Sequence, residues 1–174
     1  MIHELSEDMI TPDLNKYTLT FDDGLYSQYK WIDKLTKINT EKIFFISTGI
    51  IGSTLQSHDF PTSYEAHAKA GEGIFEDFMT SDQIIELSHM TDVTIGAHSH
   101  YHKRISNFSS MKDKIEHIQA DIKLMTDWFM THLGYMPTKF CYPYNEYDEI
   151  YTIMLKRAGF TEFYGAERID IGEL

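Results

Sequence analysis

The stretch Tyr17-Thr18-Leu19-Thr20-Phe21-Asp22-Asp23-Gly24 decides how this chain is read. β-Branched and aromatic residues over 17–22 predict a buried strand, and two acids with a glycine stop it. Adjacent carboxylates at the end of an apolar run are costly to place, because each must stay hydrated or find a partner. A second unusual run, His98-Ser99-His100-Tyr101-His102, also follows a strand-like segment. Histidines four apart are expected on one side of a helical turn, where both reach a single ion. One carboxylate completes a three-ligand set and the other is left to take a proton. These are the parts of a metal-assisted hydrolysis of an amide or ester.

Working outward, Ile43–Ser47, Val93–Gly96, Lys139–Tyr142 and Thr161–Tyr164 read as further short strands. Leu25, Tyr29, Ile32 and Leu35 recur at helical spacing. Thr80-Ser81-Asp82-Gln83 is a capping box ahead of Ile84, Ile85 and Leu87. Met111 to Phe129 carries a long apolar stripe, read as core packing, that closes near Gly134 and Pro137. Tyr147 to Leu155 predicts a last helix, stopped by Gly159. Residues 52–79 have no sustained period and read as a long loop or insertion near the site, of the kind that often serves as a lid. Strands alternating with helices predict one α/β domain over residues 1–174, with parallel strands and helices outside. Asp22/Asp23, His98/His102, Tyr142-Pro143-Tyr144 and Glu167/Arg168 then fall at strand ends, where α/β folds gather their ligands.

The bulk composition sets limits. The chain has 174 residues, 42% hydrophobic and 14% aromatic, enough for one real core. A net charge of -12 excludes a broad basic face for nucleic acid or anionic lipid. No run is long and apolar enough to predict a membrane span. The acidic start, without an apolar signal region, predicts a cytoplasmic location. The lone Cys141 forms no internal disulfide, leaving nitrogen and oxygen ligands for any ion. It reads as a small buried strand residue.

Thr20-Phe21-Asp22-Asp23-Gly24 and His98-Ser99-His100-Tyr101-His102 resemble the first two motifs of the polysaccharide deacetylase family (carbohydrate esterase family 4, the NodB-homology domain). Tyr142-Pro143-Tyr144 resembles part of the third. The resemblance implies a distorted or incomplete (β/α) barrel and hydrolytic removal of acetyl groups from an N-acetylated sugar or glycan precursor. It makes Asp22 the catalytic base and Asp23, His98 and His102 the ligands of a divalent ion, zinc first, with cobalt and nickel as alternatives. The third motif supplies a backbone N–H to the oxyanion, at Tyr144. Tyr142 and Tyr144 either stack on a sugar ring or belong to the core, and Tyr142 and Pro143 are further substrate-site candidates. Cys141 stands where the family usually has an arginine, Asn145 where it has a glycine, and the late Leu-x-His motif is not found in the sequence. Arg168 is a candidate to replace the arginine's charge. His67 and His58, in the 52–79 segment, either touch substrate or a second ion or face solvent. Two alternatives to a de-N-acetylase stay open: a non-catalytic module that binds metal and sugar, and a hydrolase of another small C–N substrate.

Overall fold

The computed structural model describes residues 2–3, 5–53, 56 and 60–165. Five strands, β1 (Leu19–Phe21), β2 (Lys42–Ile46), β3 (Val93–Ala97), β4 (Lys139–Cys141) and β5 (Glu162–Tyr164), form one sheet in the order β1-β2-β3-β4-β5. Every neighbouring pair is parallel. Helices fill the crossovers: α1 (Tyr26–Lys30) and α2 (Ile32–Leu35), then α3 (Ser63–Gly71) and α4 (Ser81–Ser88), then α5 (Met111–His132), then α6 (Glu149–Ala158). Strand order follows chain order without reversal. The sheet therefore winds one way, as a barrel does, instead of two ways about a switch point. It is a curled half-barrel: the alternation of elements predicts the parallel strands with helices outside, and the family resemblance implies the incomplete barrel.

The core explains the strand composition. β2 is buried along its whole length, as a strand inside a covered parallel sheet should be. Its Lys42 is no exception in cost, because the ammonium donates to the Ile38 and Thr40 carbonyls, each at 2.7 Å. Phe21 stacks on Phe44 with centroids 4.6 Å apart. With Ile95, Phe140, Ile118, Met125 and Phe129 they form the main core beneath the helices. Ile43, Phe45 and Cys141 form a smaller cluster. Phe21 and Cys141 each end a strand, so the residues that follow them emerge together at the carboxyl edge.

Three expectations change. The helix expected over 25–35 is broken at Trp31, whose φ of -103° and ψ of 14° leave the helical region. The 52–79 segment holds α3, opened by a capping box in which Thr62 Oγ1 accepts from Glu65 N–H and Glu65 accepts from Thr62 N–H at 2.9 Å. Its apolar signal is weak because Ala66 is the one buried residue of the helix. Met111, the first residue of the stripe, is exposed, and the buried face of α5 runs through Ile118, Asp121, Ile122, Met125 and Phe129.

Beyond β2 the chain zips onto the histidine run: His98 N–H donates to Ile46 O at 2.9 Å, Thr48 N–H to Ser99 O at 3.1 Å and Gly49 N–H to His100 O at 3.0 Å. Gly49 permits this approach, since a Cβ there would lie 2.3 Å from the His100 carbonyl oxygen. Gly49→Ala is expected to cost about 1–3 kcal/mol, the usual range for overpacking. Urea unfolding measures it, and a midpoint equal to wild type would mean the two segments part without penalty.

Candidate active site

The first acid pair sits on a tight turn. Asp23 and Gly24 have φ of 71° and 78°, both left-handed. Aspartate tolerates that region better than most residues, and glycine enters it freely. The turn is fastened by Met79 N–H to Gly24 O at 2.8 Å and by Gln28 Nε2 to Asp22 O at 2.6 Å. Both carboxylates end up buried, Asp22 at 2% and Asp23 at 3% exposure.

The histidine run is a loop, not the helical turn that the four-residue spacing suggests. Ser99 and His102 have φ of 68° and 49°. Ser99 Oγ accepts from His102 N–H at 2.9 Å. The buried Asp121 of α5 accepts from the backbone N–H groups of His100 and Tyr101 at 3.0 and 2.8 Å, while Tyr151 donates its hydroxyl to the other oxygen at 2.7 Å. A buried acid thus folds the loop so that both imidazoles turn inward. The stripe on α5 is core and also carries this anchor.

The two runs meet at Asp23. His102 Nε2 lies 3.0 Å and His98 Nε2 3.4 Å from Asp23 Oδ1. Among the described residues that oxygen is buried without a hydrogen-bond partner. One ligand atom from each of Asp23, His98 and His102 falls within 4.8 Å of the others. His98 Nδ1 is 2.8 Å from the Cys141 carbonyl, which holds the proton there and leaves Nε2 to face the acids. A buried oxygen facing two imidazole nitrogens is a set that fits a divalent ion, and the N₂O chemistry suits zinc. Burial alone would raise the Asp23 pKa, yet His102, His3, His67 and His98 around it hold it well below the usual carboxylate range. Burial pushes the His102 imidazole down to about 4, which favours its neutral, ligating form.

Asp22 is the acid outside this trio. Its Oδ2 lies 3.8 Å from His98 Nε2 and 3.5 Å from Cys141 Sγ. Burial raises its pKa, with Asp23 adding to the effect and His98 opposing it. The thiol at the position of the family's arginine is no charge partner, since burial pushes it up to about 11.

These groups floor a cleft of about 620 Å³ whose walls include Ser63, Tyr64, His67, Arg104, Tyr144 and Asn145. Tyr144, at φ 58°, stands at the rim with the Arg104 guanidinium 4.0 Å over its ring. Tyr142 does not line the cleft. It is 2% exposed and its hydroxyl meets Thr152 Oγ1 at 2.5 Å, so it is a core residue, with the buried Pro143 beside it. His67 belongs to the site: its Nε2 is 3.3 Å from Asp23 Oδ2 and its ring stacks on His102 at 4.2 Å. Arg168, Glu167 and His58 lie outside the described residues. Sequence reasoning gave no role to His3, whose Nδ1 is 3.4 Å from Asp23 Oδ2, nor to Ser63 and Asp121. For Ser63 and His67 the missed signal was Thr62-x-x-Glu65, which places both on one helix.

Fold and geometry together define an α/β half-barrel with a buried acid–histidine centre at the carboxyl edge of its sheet. The family model for polysaccharide deacetylase matches residues 11–163, and the chain belongs to that family. Solved structures share the fold. They include IcaB from Ammonifex degensii (TM-score 0.64, 21% identity, 85% of this chain and 58% of that one). A de-N-acetylase from Aggregatibacter actinomycetemcomitans has TM-score 0.65 at 15% identity, over 94% of this chain and 71% of that one. The BpsB deacetylase domain from Bordetella bronchiseptica has TM-score 0.66 at 17% identity, over 86% and 63%. The chain thus spans well under two thirds of IcaB. Among curated proteins, no sequence matches it.

Proposed function

We propose that this protein is a metal-dependent hydrolase that removes the acetyl group from an N-acetylated sugar or glycan precursor. The observation that carries the reading is the approach of His98 and His102 to the orphaned oxygen of Asp23, with Asp22 beside them. Family membership and relatives named as deacetylases support it. Asp23, His98 and His102 would hold a divalent ion, zinc in the first instance and cobalt or nickel by the same donor set. When bound there, such an ion polarises the amide carbonyl and acidifies water. Asp22 takes the proton of the attacking water. A new C–O bond forms as the C–N bond breaks, and the proton Asp22 holds is the one the departing nitrogen needs. Its return balances the reaction. The backbone N–H of Tyr144 is the candidate donor to the developing oxyanion, at the cleft wall.

The setting we infer is cytoplasmic, which favours a sugar nucleotide, lipid-linked sugar or oligosaccharide over mature wall polymer. Cys141, standing beside Asp22 at the position of the family's usual arginine, favours a second reading, a module that binds metal and sugar without turnover. Acetate release from a panel of N-acetyl sugars separates the two. Metal-loaded protein is expected to release acetate and chelator-treated protein to release none. Metal and glycan binding with no acetate from any substrate would establish the second reading instead.

A further inference from the structure

The two oxygens of Asp23 have different company. Oδ1 faces His98 and His102. Oδ2 receives the Ser63 hydroxyl at 2.8 Å, with His67 Nε2 at 3.3 Å and His3 Nδ1 at 3.4 Å. Ser63 and His67 are four apart on α3 and so share a face. We propose that α3 is a clamp on the metal-ligating acid: Ser63 and His67 are positioning residues that fix the Asp23 carboxylate so that Oδ1 faces the ion. The inference rests on the metal reading above and adds to it a helix outside the strand-end motifs.

The clamp needs a rigid helix and a carboxylate in need of holding, and both are present. Asp23 lies on a left-handed turn just past the end of β1, and the hydrogen bonds that fasten that turn go to backbone oxygens, so its carboxylate is oriented by the side chains that reach it. The capping box sets the start of α3 one residue before Ser63. Ala66 packs with Leu25 and Phe78. Lys69 Nζ reaches the buried Asp77 at 3.0 Å and ties the end of the helix to the segment that leads into α4. His67 is itself held between rings, stacked on His102 with planes 13° apart and edge-on to Phe78 at 5.5 Å. It therefore steadies one ligand through a polar contact and another through its face. Outer partners of this kind orient a ligand so that it is already placed when the ion arrives, and their loss typically weakens metal binding 10–100-fold.

The test is titration of the metal-free protein with Co(II), reading affinity and the visible absorption band, with unfolding midpoints measured in parallel. Ser63→Ala removes one oxygen atom from a half-buried position, and His67→Leu removes the nitrogen while keeping bulk. Each is expected to lower Co(II) affinity roughly 10–100-fold while the band of the bound form keeps its position. Affinity within twofold of wild type in Ser63→Ala overturns the clamp. A displaced band in His67→Leu also overturns it, by making His67 a ligand in its own right. If His67→Leu unfolds, Ser63→Ala alone still decides. Wild-type protein that takes up no Co(II) overturns the metal reading and the clamp with it; intact uptake by wild type and both variants overturns the clamp alone.

Discussion

Asp22→Asn is expected to lower acetate release by roughly 10²–10⁴-fold, the usual contribution of a positioned general base, while Co(II) affinity changes little. The substitution preserves shape and burial, so it tests the charge and basicity of one group. The proposed ligand trio is Asp23, His98 and His102, and Asp22 stands outside it, 3.8 Å from His98. Burial already raises the Asp22 pKa, the direction in which a carboxylate becomes a better base. From β4 the Cys141 thiol approaches Asp22 Oδ2 at 3.5 Å. Single-turnover acetate release and Co(II) titration on the same preparations check both halves. A variant that keeps about a tenth or more of wild-type release would remove Asp22 from the chemistry. Loss of metal in step with activity would move Asp22 into the ligand set, alongside the His98 and Cys141 atoms it already approaches.

Much of this arrangement is legible in the sequence because the chemistry is expensive. Buried acids and imidazoles need each other, so Asp22, Asp23, His98 and His102 stand out against apolar strands. The strands themselves are short and β-branched or aromatic, and their order follows from the helices between them. What escapes the reading is whatever depends on a turn or on burial. The four-residue spacing of His98 and His102 suggests a helix, but the left-handed Ser99 and His102 reach the same convergence by a loop. Tyr142 looks as suited to a sugar as Tyr144 does, and only packing separates the buried ring from the exposed one. α3 was hidden because alanines carry its inner side and give almost no apolar period. Asp121 was hidden because one acid among many on a long amphipathic helix looks like surface, whereas its carboxylate is 1% exposed.

That buried carboxylate leads to the other large expectation. Asp121→Ala removes the acceptor for the His100 and Tyr101 N–H groups and for the Tyr151 hydroxyl together. A buried donor left without a partner costs about 1–3 kcal/mol. The two loop amides are partly buried and regain some water, so a total near 3 kcal/mol is expected. The functional loss should be greater than the loss of fold. Ser99 and His102 hold left-handed backbone angles because the loop is pinned from below, and without the pin the loop can relax and carry His98 and His102 apart. Co(II) affinity should then fall at least 10-fold, as it does when groups that orient ligands are lost. Asp121→Asn is the control. Its amide oxygen still accepts from the loop, and the Tyr151 hydroxyl can turn to accept from the amide nitrogen. Most of the affinity and stability should therefore return, even though the negative charge is gone. Recovery in Asn would assign the role to hydrogen-bond geometry; an Asn variant as weak as Ala would assign it to charge. Alanine protein that binds Co(II) within twofold of wild type would show that the histidine loop holds its shape without α5.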